Sequence, residues 1–225
     1  MKVLVLGDGL LGSEIVRQTD WDYISRKKDN IDFINDSLSH YLGDYDTILN
    51  CIANTNTYST DKESIYSINY HFVIKLSNIC KMLGKKLIHI SSDYVYADSI
   101  PFATENDLAV PSSNWYTFSK LLADEYIMFN NKNYLITRCS FKPKPFPYDA
   151  GWLDQTGNFD YVDVISDLII QLINKNANGL YNVGTEVKTI YKLAKQTKPN
   201  TRIDFRPSCA PGDITMNLDK LKSIL

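Results

Sequence analysis

With 225 residues, 44% of them hydrophobic and 22% charged, the chain can bury one sizeable core and a small appendage. A formal net charge of −2 without any dense Lys/Arg block argues against a nucleic-acid binder, and no apolar run approaches the ~20 residues that span a bilayer. Nothing marks the chain for secretion, so the expectation is a cytoplasmic protein whose Cys51, Cys80, Cys139 and Cys209, lacking CxxC or metal-like spacing, stay reduced and mostly buried.

The first residues read MKVLVLGDGLLGSEIV. An apolar run over 2–6 predicts a strand, Gly7, Gly9 and Gly12 follow at GxGxxG spacing, and an apolar-periodic stretch through Gln18 predicts a helix. In that order Gly7 permits a tight turn, Gly9 lets backbone approach a pyrophosphate, and Gly12 lets the helix lie close to the strand with its N-terminus toward the phosphates. A short strand near Asp22–Ser25 comes next, then a polar stretch, then an apolar strand at Thr47–Ile52. A helix around Lys62–Leu83 ends at Gly84, and LIHIS at 87–91 is a strand that delivers Ser91, Ser92 and Asp93 to its carboxyl edge. A helix to about Asn130 and a strand at 134–140 come after it. Pro143, Pro145 and Pro147 exclude a regular helix from the next stretch; beyond it the pattern predicts a helix over Val162–Ile173, a strand near Leu180–Val183 and a last small helix near Leu218. Alternating strands and helices predict an α/β fold, a Rossmann-type doubly wound parallel sheet covered on both faces.

Chemistry concentrates in ISSDYVY at 90–96 and NWYTFSK at 114–120. Tyr116 and Lys120 are four apart in a helical segment, so both project from one face. A phenol is a proton donor whose ordinary pKa of about 10 an adjacent ammonium should bring down toward working range, and Ser92 could hold a carbonyl oxygen beside it.

These segments carry a family resemblance. GDGLLGSEI, NCIAN at 50–54, SSDYVY, YTFSK, DQTGNFDYVDVISDLI at 154–169, NVG at 182–184 and the closing NLDKLKSIL together resemble an extended short-chain dehydrogenase/reductase, most of all the dTDP-4-dehydrorhamnose reductases, nearly from end to end. The resemblance implies an NAD(P)-binding core over 1–140 and a reduced substrate-binding part over 141–225, with 160–185 returning to the core. It implies Ser92, Tyr116 and Lys120 as the catalytic triad. Gly7, Gly9, Leu10, Leu11 and Gly12 fall on the cofactor loop, Asp32 and Phe33 beside the adenine, Ala53 near the nicotinamide ribose, and Tyr116 and Lys120 also touch the cofactor. It further implies a nucleotide-sugar substrate, a soluble homodimer paired through the helices at 62–83 and 115–130, and reduction of a 4-keto-6-deoxy sugar with deoxysugar biosynthesis as its setting.

Cofactor choice is read from the residues just past the second strand. No carboxylate stands there to bind ribose hydroxyls; Ser25, Arg26, Lys27 and Lys28 do, and a guanidinium suits a 2′-phosphate, so the expectation is NADPH with NADH as the alternative. Asn50, which the resemblance places with Ala53 near the nicotinamide ribose, fits a simple strand-end turn equally well; Asn69 reads as part of a solvated helix face, while His40, His71 and His89 do not cluster, so no catalytic metal is expected. Asp93-Tyr94 replaces the acid pair of related dehydratases, which disfavours elimination. An NAD-dependent nucleotide-sugar epimerase and a non-catalytic dinucleotide-binding regulatory subunit are the competing readings. The stretch between Arg138 and DQTGN is short for the reductases, and its Lys142, Lys144 and Trp152 fit either a rebuilt ligand wall or a solvated loop.

Overall fold

The hydrophobic run Val3–Leu6 is buried on both sides because each alternate residue faces a different layer. The computed structural model describes residues 1–112 and 114–225. Strand β1 (Val3–Leu6) leads through the glycine turn into α1 (Leu10–Thr19), then β2 (Asp22–Ile24), the short helices α2 (Arg26–Asp29) and α3 (Ser39–Leu42), and β3 (Thr47–Asn50). Helix α4 (Lys62–Tyr66), a π-helical turn (Ser67–His71) and α5 (Phe72–Met82) form one rod, followed by β4 (Lys86–Ser92), a 3₁₀ turn (Asp93–Tyr96), α6 (Trp115–Asn130) and β5 (Tyr134–Cys139). Then come the short strands β6 (Phe141–Lys142), β7 (Ala150–Trp152), β8 (Thr156–Gly157) and β9 (Asp160–Tyr161), helix α7 (Val162–Asn174) and strand β10 (Gly179–Asn182). The chain closes with β11 (Lys188–Thr189), α8 (Ile190–Thr197), β12 (Arg202–Asp204), β13 (Asp213–Ile214) and α9 (Asp219–Ile224).

Six strands form one parallel sheet in the order β10-β5-β4-β3-β1-β2. Val3, Val5, Leu49 and Ile88 face α1 and α7, where Ile15, Ile165 and Ile169 cover them; Leu4, Leu6, Ile48 and Leu87 face α5 and α6, where Phe72, Leu76, Ala123 and Ile127 do so. This is the Rossmann-like α/β architecture that the alternation predicts. Strand order reverses between β1 and β3, so the crevice beyond their carboxyl ends is the place where such sheets bind ligands. Truncating a side chain at the sheet centre, such as fully buried Leu49→Ala, costs about 2–5 kcal/mol.

Three features depart from the sequence expectation. The rod at 62–82 is not a continuous α-helix, because its middle turn is π-helical, a form that inserts a residue and reorients the side chains around it. Asn69, on that turn, is therefore not on a solvated face: it is fully buried, accepts the Asn54 backbone N–H at 2.8 Å and donates to the Asn54 carbonyl at 3.0 Å. Between 187 and 218 the chain holds α8 and three short strands beyond the expected elements; strands of two or three residues have no period to read, whereas Ile190, Leu193 and Ala194 give α8 a short i, i+3, i+4 face. They pair with β7 and β8 and cover a second, small core of Phe146, Phe159, Tyr161, Ile190, Leu193 and Ile214.

Candidate active site

The glycine turn is shaped by contact. Gly7 sits at φ +96, open to glycine at little cost, and a Cβ there would come within 2.9 Å of Ile52. A Cβ on Gly12 would lie 2.1 Å from the Gly7 carbonyl oxygen, so α1 can approach β1 only with glycine at this position. Around Gly9 nothing lies within 4 Å of the Cβ position, leaving the N-terminus of α1 open. Leu11 is buried in the core beneath α1 and Leu10 is exposed, so toward this opening both offer their backbone N–H groups.

Beside the turn lies a cavity of about 480 Å³ lined by Arg26, Asp32, Phe33, Ile52, Ala53, Asn54 and their neighbours. The fold thus brings Arg26, Asp32 and Phe33, expected around the adenine end of a dinucleotide, together with Ala53, expected near the nicotinamide ribose. Arg26 is exposed and in no ion pair among the described residues. Asp32 is held in its own turn, accepting from Asn35 Nδ2 at 2.7 Å and the Ile34 N–H at 3.0 Å, and these bonds hold its carboxyl below the usual range. Phe33 turns its ring into the core, edge-on to Phe72 at 5.8 Å, so it gives the groove little surface. The carboxylate nearest the end of β2, Asp29, accepts the Ser25 N–H at 2.8 Å.

At the carboxyl edge of β4, Ser92 is 5% exposed, its Oγ accepting the Tyr94 N–H at 3.2 Å. Asn114 caps α6 by accepting the Thr117 N–H at 2.9 Å, which sets the first turn and with it Tyr116. Burial pushes the Tyr116 phenol up to about 12, while the nearby Ser92 hydroxyl pulls the other way. Lys120, one turn on and 2% exposed, donates to the Ile90 carbonyl at 2.6 Å and lies 3.3 Å from His89 Nε2. The Lys120 amine is thus tied to β4, and burial lowers its own pKa to about 8. Asp93 is fully buried, Oδ2 finds no hydrogen-bond partner among the described residues, and burial raises it to about 7 against the field of Lys142.

Beneath these groups a buried ion pair anchors the frame. Arg138 on β5 donates to Asp124 Oδ2 at 3.0 Å and to the Tyr96 hydroxyl at 2.7 Å, and Ser91 donates to the same Asp124 oxygen at 2.8 Å. Asn50, at the end of β3, and His89, read from the sequence as an isolated histidine, also belong here. Asn50 Nδ2 lies 3.1 Å from His89 Nδ1. A polar residue in the middle of an apolar strand, as in LIHIS, is the signal that could have marked His89.

On the opposite side, Lys142 and Trp152 stand on strands, not in a loop, and line a cavity of about 250 Å³ with Phe146, Tyr148 and Ile190. Lys144 points away, donating to Asp163 at 2.6 Å. A further cavity of about 450 Å³, walled by Tyr58, Trp115 and Phe118, opens beside the start of α6. Among the described residues no three His, Cys, Asp or Glu side chains are grouped to hold a metal ion, and no helix is long and apolar enough to cross a membrane.

Residues 1–141 match the family model described as the RmlD substrate binding domain. The chain belongs to that family. No curated protein matches it. Among solved structures it resembles a hypothetical dTDP-4-dehydrorhamnose reductase from Sulfolobus tokodaii, with 21% identity and a TM-score of 0.84 over 100% of this chain and 95% of that one. It also resembles the dTDP-4-dehydrorhamnose reductase of Bacillus anthracis in complex with NADP, at 22% identity and a TM-score of 0.83 over 99% and 92%. A UDP-glucuronic acid 4-epimerase from Bacillus cereus in complex with NAD shares the fold at 18% identity and a TM-score of 0.78 over 100% and 90%. At these identities the likeness is one of fold.

Proposed function

We propose that this RmlD-family chain is an NADPH-dependent reductase of a nucleotide-linked 4-keto-6-deoxy sugar. The observation that carries the reading is the meeting, at one sheet edge, of Ser92 and Tyr116 with Lys120 a turn away and the open glycine turn beside them. The chain's own groups fit a dinucleotide: Gly9 leaves room for a pyrophosphate at the N-terminus of α1, Arg26, in no ion pair among the described residues, offers its guanidinium to a 2′-phosphate, and Asp32, Phe33 and Ala53 line the same cavity. The reductase neighbour with NADP supports NADPH, and the epimerase neighbour with NAD keeps NADH as the alternative.

When bound, the reduced nicotinamide supplies hydride to the carbonyl carbon. Ser92 and Tyr116 hydrogen-bond the carbonyl oxygen, and Tyr116 gives it the phenolic proton. A phenol held protonated by burial is suited to donate, and to donate only as negative charge gathers on that oxygen. The aromatic-walled cavity beside Tyr116 is the side from which a nucleotide would enter.

The test is NADPH absorbance with purified protein and a panel of nucleotide-4-keto-6-deoxy sugars. Substrate-dependent oxidation is the expected result. Inversion of a sugar carbon with no net change in cofactor would replace the reading by an epimerase. NADPH binding with no turnover on the panel would replace it by a different carbonyl substrate or by the regulatory-subunit reading.

A further inference from the structure

Lys142 belongs to the short stretch after Arg138, so what it does is this chain's own. It ends β6, which pairs with β9 in the register Lys142 to Tyr161, and it lines the cavity shared by Phe146, Tyr148 and Trp152. The residue is half-buried, and its amine makes no hydrogen bond and no ion pair among the described residues. Asp204 borders the same cavity but is exposed and accepts the Phe205 N–H at 2.9 Å. Asp93 faces Lys142 from the other side. It is fully buried, its Oδ1 lies 3.4 Å from Ser92 Oγ, and its Oδ2 has no hydrogen-bond partner among the described residues. Burial acts first on both groups, raising the Asp93 carboxyl and lowering the Lys142 amine; after burial, the strongest influence on each is the charge of the other. Burial, then the Ser92 hydroxyl, then the charge of Asp93 act on the Tyr116 phenol, so the gap between Asp93 and Lys142 borders the reacting groups.

A carboxylate oxygen and an ammonium that face each other without touching are each short of a hydrogen bond. An ammonium only donates and a carboxylate only accepts, so a group that completes both must accept from the first and donate to the second. A hydroxyl does this with a single oxygen. An ether or a second carbonyl would leave Asp93 bare, a cationic amine would be repelled by Lys142, and a CH₂ would leave both uncompensated.

We propose that Lys142 and Asp93 form a clamp that selects a ketosugar with a free hydroxyl on the carbon beside the carbonyl. The proposal rests on the reductase reading. Ser92 holds the carbonyl oxygen and Asp93 is the next residue, its Oδ1 turned to Ser92, so the group that meets Oδ2 belongs to a neighbouring carbon of the sugar. In a 4-keto-6-deoxy pyranose those neighbours are C3 and C5. The oxygen on C5 closes the ring, which leaves the C3 hydroxyl for the clamp. Lys142 and Asp93 take no part in the bond changes; they decide which sugar is held while Ser92 and Tyr116 act on the carbonyl.

The test compares two nucleotide-4-keto-6-deoxy sugars that differ only at C3, one with the hydroxyl and one 3-deoxy, by NADPH absorbance at about pH 8, above the Asp93 value of about 7. The unaltered protein should prefer the hydroxylated sugar in kcat/KM by about a hundredfold or more. Lys142→Met keeps the stem and removes the donor, so this preference should shrink by about tenfold or more, with most of the loss on the hydroxylated sugar. An equal fall with both sugars would mark Lys142 as a packing residue, and an unchanged preference would mean that water fills the gap; either result overturns the proposal. If neither sugar is turned over, calorimetry of the NADPH-loaded protein reads the preference instead. A Kd that favours the hydroxyl and loses that preference in Lys142→Met would keep the clamp and sink only the reductase reading, whereas equal affinity for the two sugars, or binding of neither, overturns the clamp.

Discussion

The two sides of the site are built differently. On the cofactor side, the glycine turn, the end of β3, Ser92 and the Tyr116 helix all stand on one six-stranded parallel sheet with both faces buried. On the other side, Lys142, Trp152 and Gln155 stand on or beside strands of two or three residues, held by pairings such as β12 with β7 across some fifty residues of chain. A rigid sheet keeps reacting groups in fixed relation, whereas short strands around a small core can be rebuilt without disturbing them. Chemistry should therefore be fixed by the sheet and substrate choice by the appended part, and substitutions on each side should separate the two.

The largest expected effect belongs to the sheet side. Tyr116→Phe removes the proton donor but neither the ring's packing nor Lys120, so turnover should fall by about 10²–10⁴-fold while NADPH affinity holds. Stopped-flow turnover together with fluorescence titration of NADPH would measure both. A variant that reduced substrate at near its original rate would remove Tyr116 from the chemistry and with it the reason for assigning reaction to this edge.

Next in size is a group on the boundary between the two sides. Asp93 follows directly on β4, yet its field partner is Lys142 on β6. Burial raises its pKa from 3.8 to about 7, so between those values the folded protein holds a proton that the unfolded chain releases. Stability tied to this group is therefore full below pH 4 and is lost as pH rises through about 7. Asn at position 93 is neutral throughout. Asp93→Asn should be more stable than the parent by ~4 kcal/mol at pH 8, with the gap closing toward pH 4, as read from urea midpoints at the two pH values. A gap independent of pH would mean that the carboxyl is ionised in the folded state and that Lys142 governs it more strongly than burial does.

How much of this could be read from the sequence obeys the same division. Strands β1, β3, β4 and β5 of the large sheet are visible as local apolar runs, and GxGxxG, Ser92 and the Tyr116–Lys120 spacing are local too, because each depends on residues close together in the chain. The features that escaped depend on distant partners. Asn69 reads as solvated until the π turn directs it at Asn54, and His89 is an isolated histidine until Asn50 and Lys120 close on it from two other elements. Between 187 and 218 only α8 has the length to show a period, and its neighbours exist as strands only through pairing with β7 and β8. A spacing of four sets Tyr116 and Lys120 on one face, but does not say that the Ile90 carbonyl will accept from the amine.

The smallest expected effect sharpens the cofactor side itself. Arg26 begins α2 just after Ser25, whose Oγ accepts the Lys28 N–H at 3.2 Å and so orients the turn that presents the guanidinium to the cavity with Asp32 and Ala53. A charge-assisted hydrogen bond to a phosphate at such an exposed position contributes about 1.5–2 kcal/mol. Arg26→Ala should therefore weaken NADPH by about tenfold to thirtyfold and leave NADH nearly untouched, since only the first carries the 2′-phosphate. If Arg26→Ala left the ratio of NADPH to NADH affinity unchanged, the basic run after β2 would be a solvated turn, and the preference would have to be set deeper in the cavity, at Asp32 or Asn54.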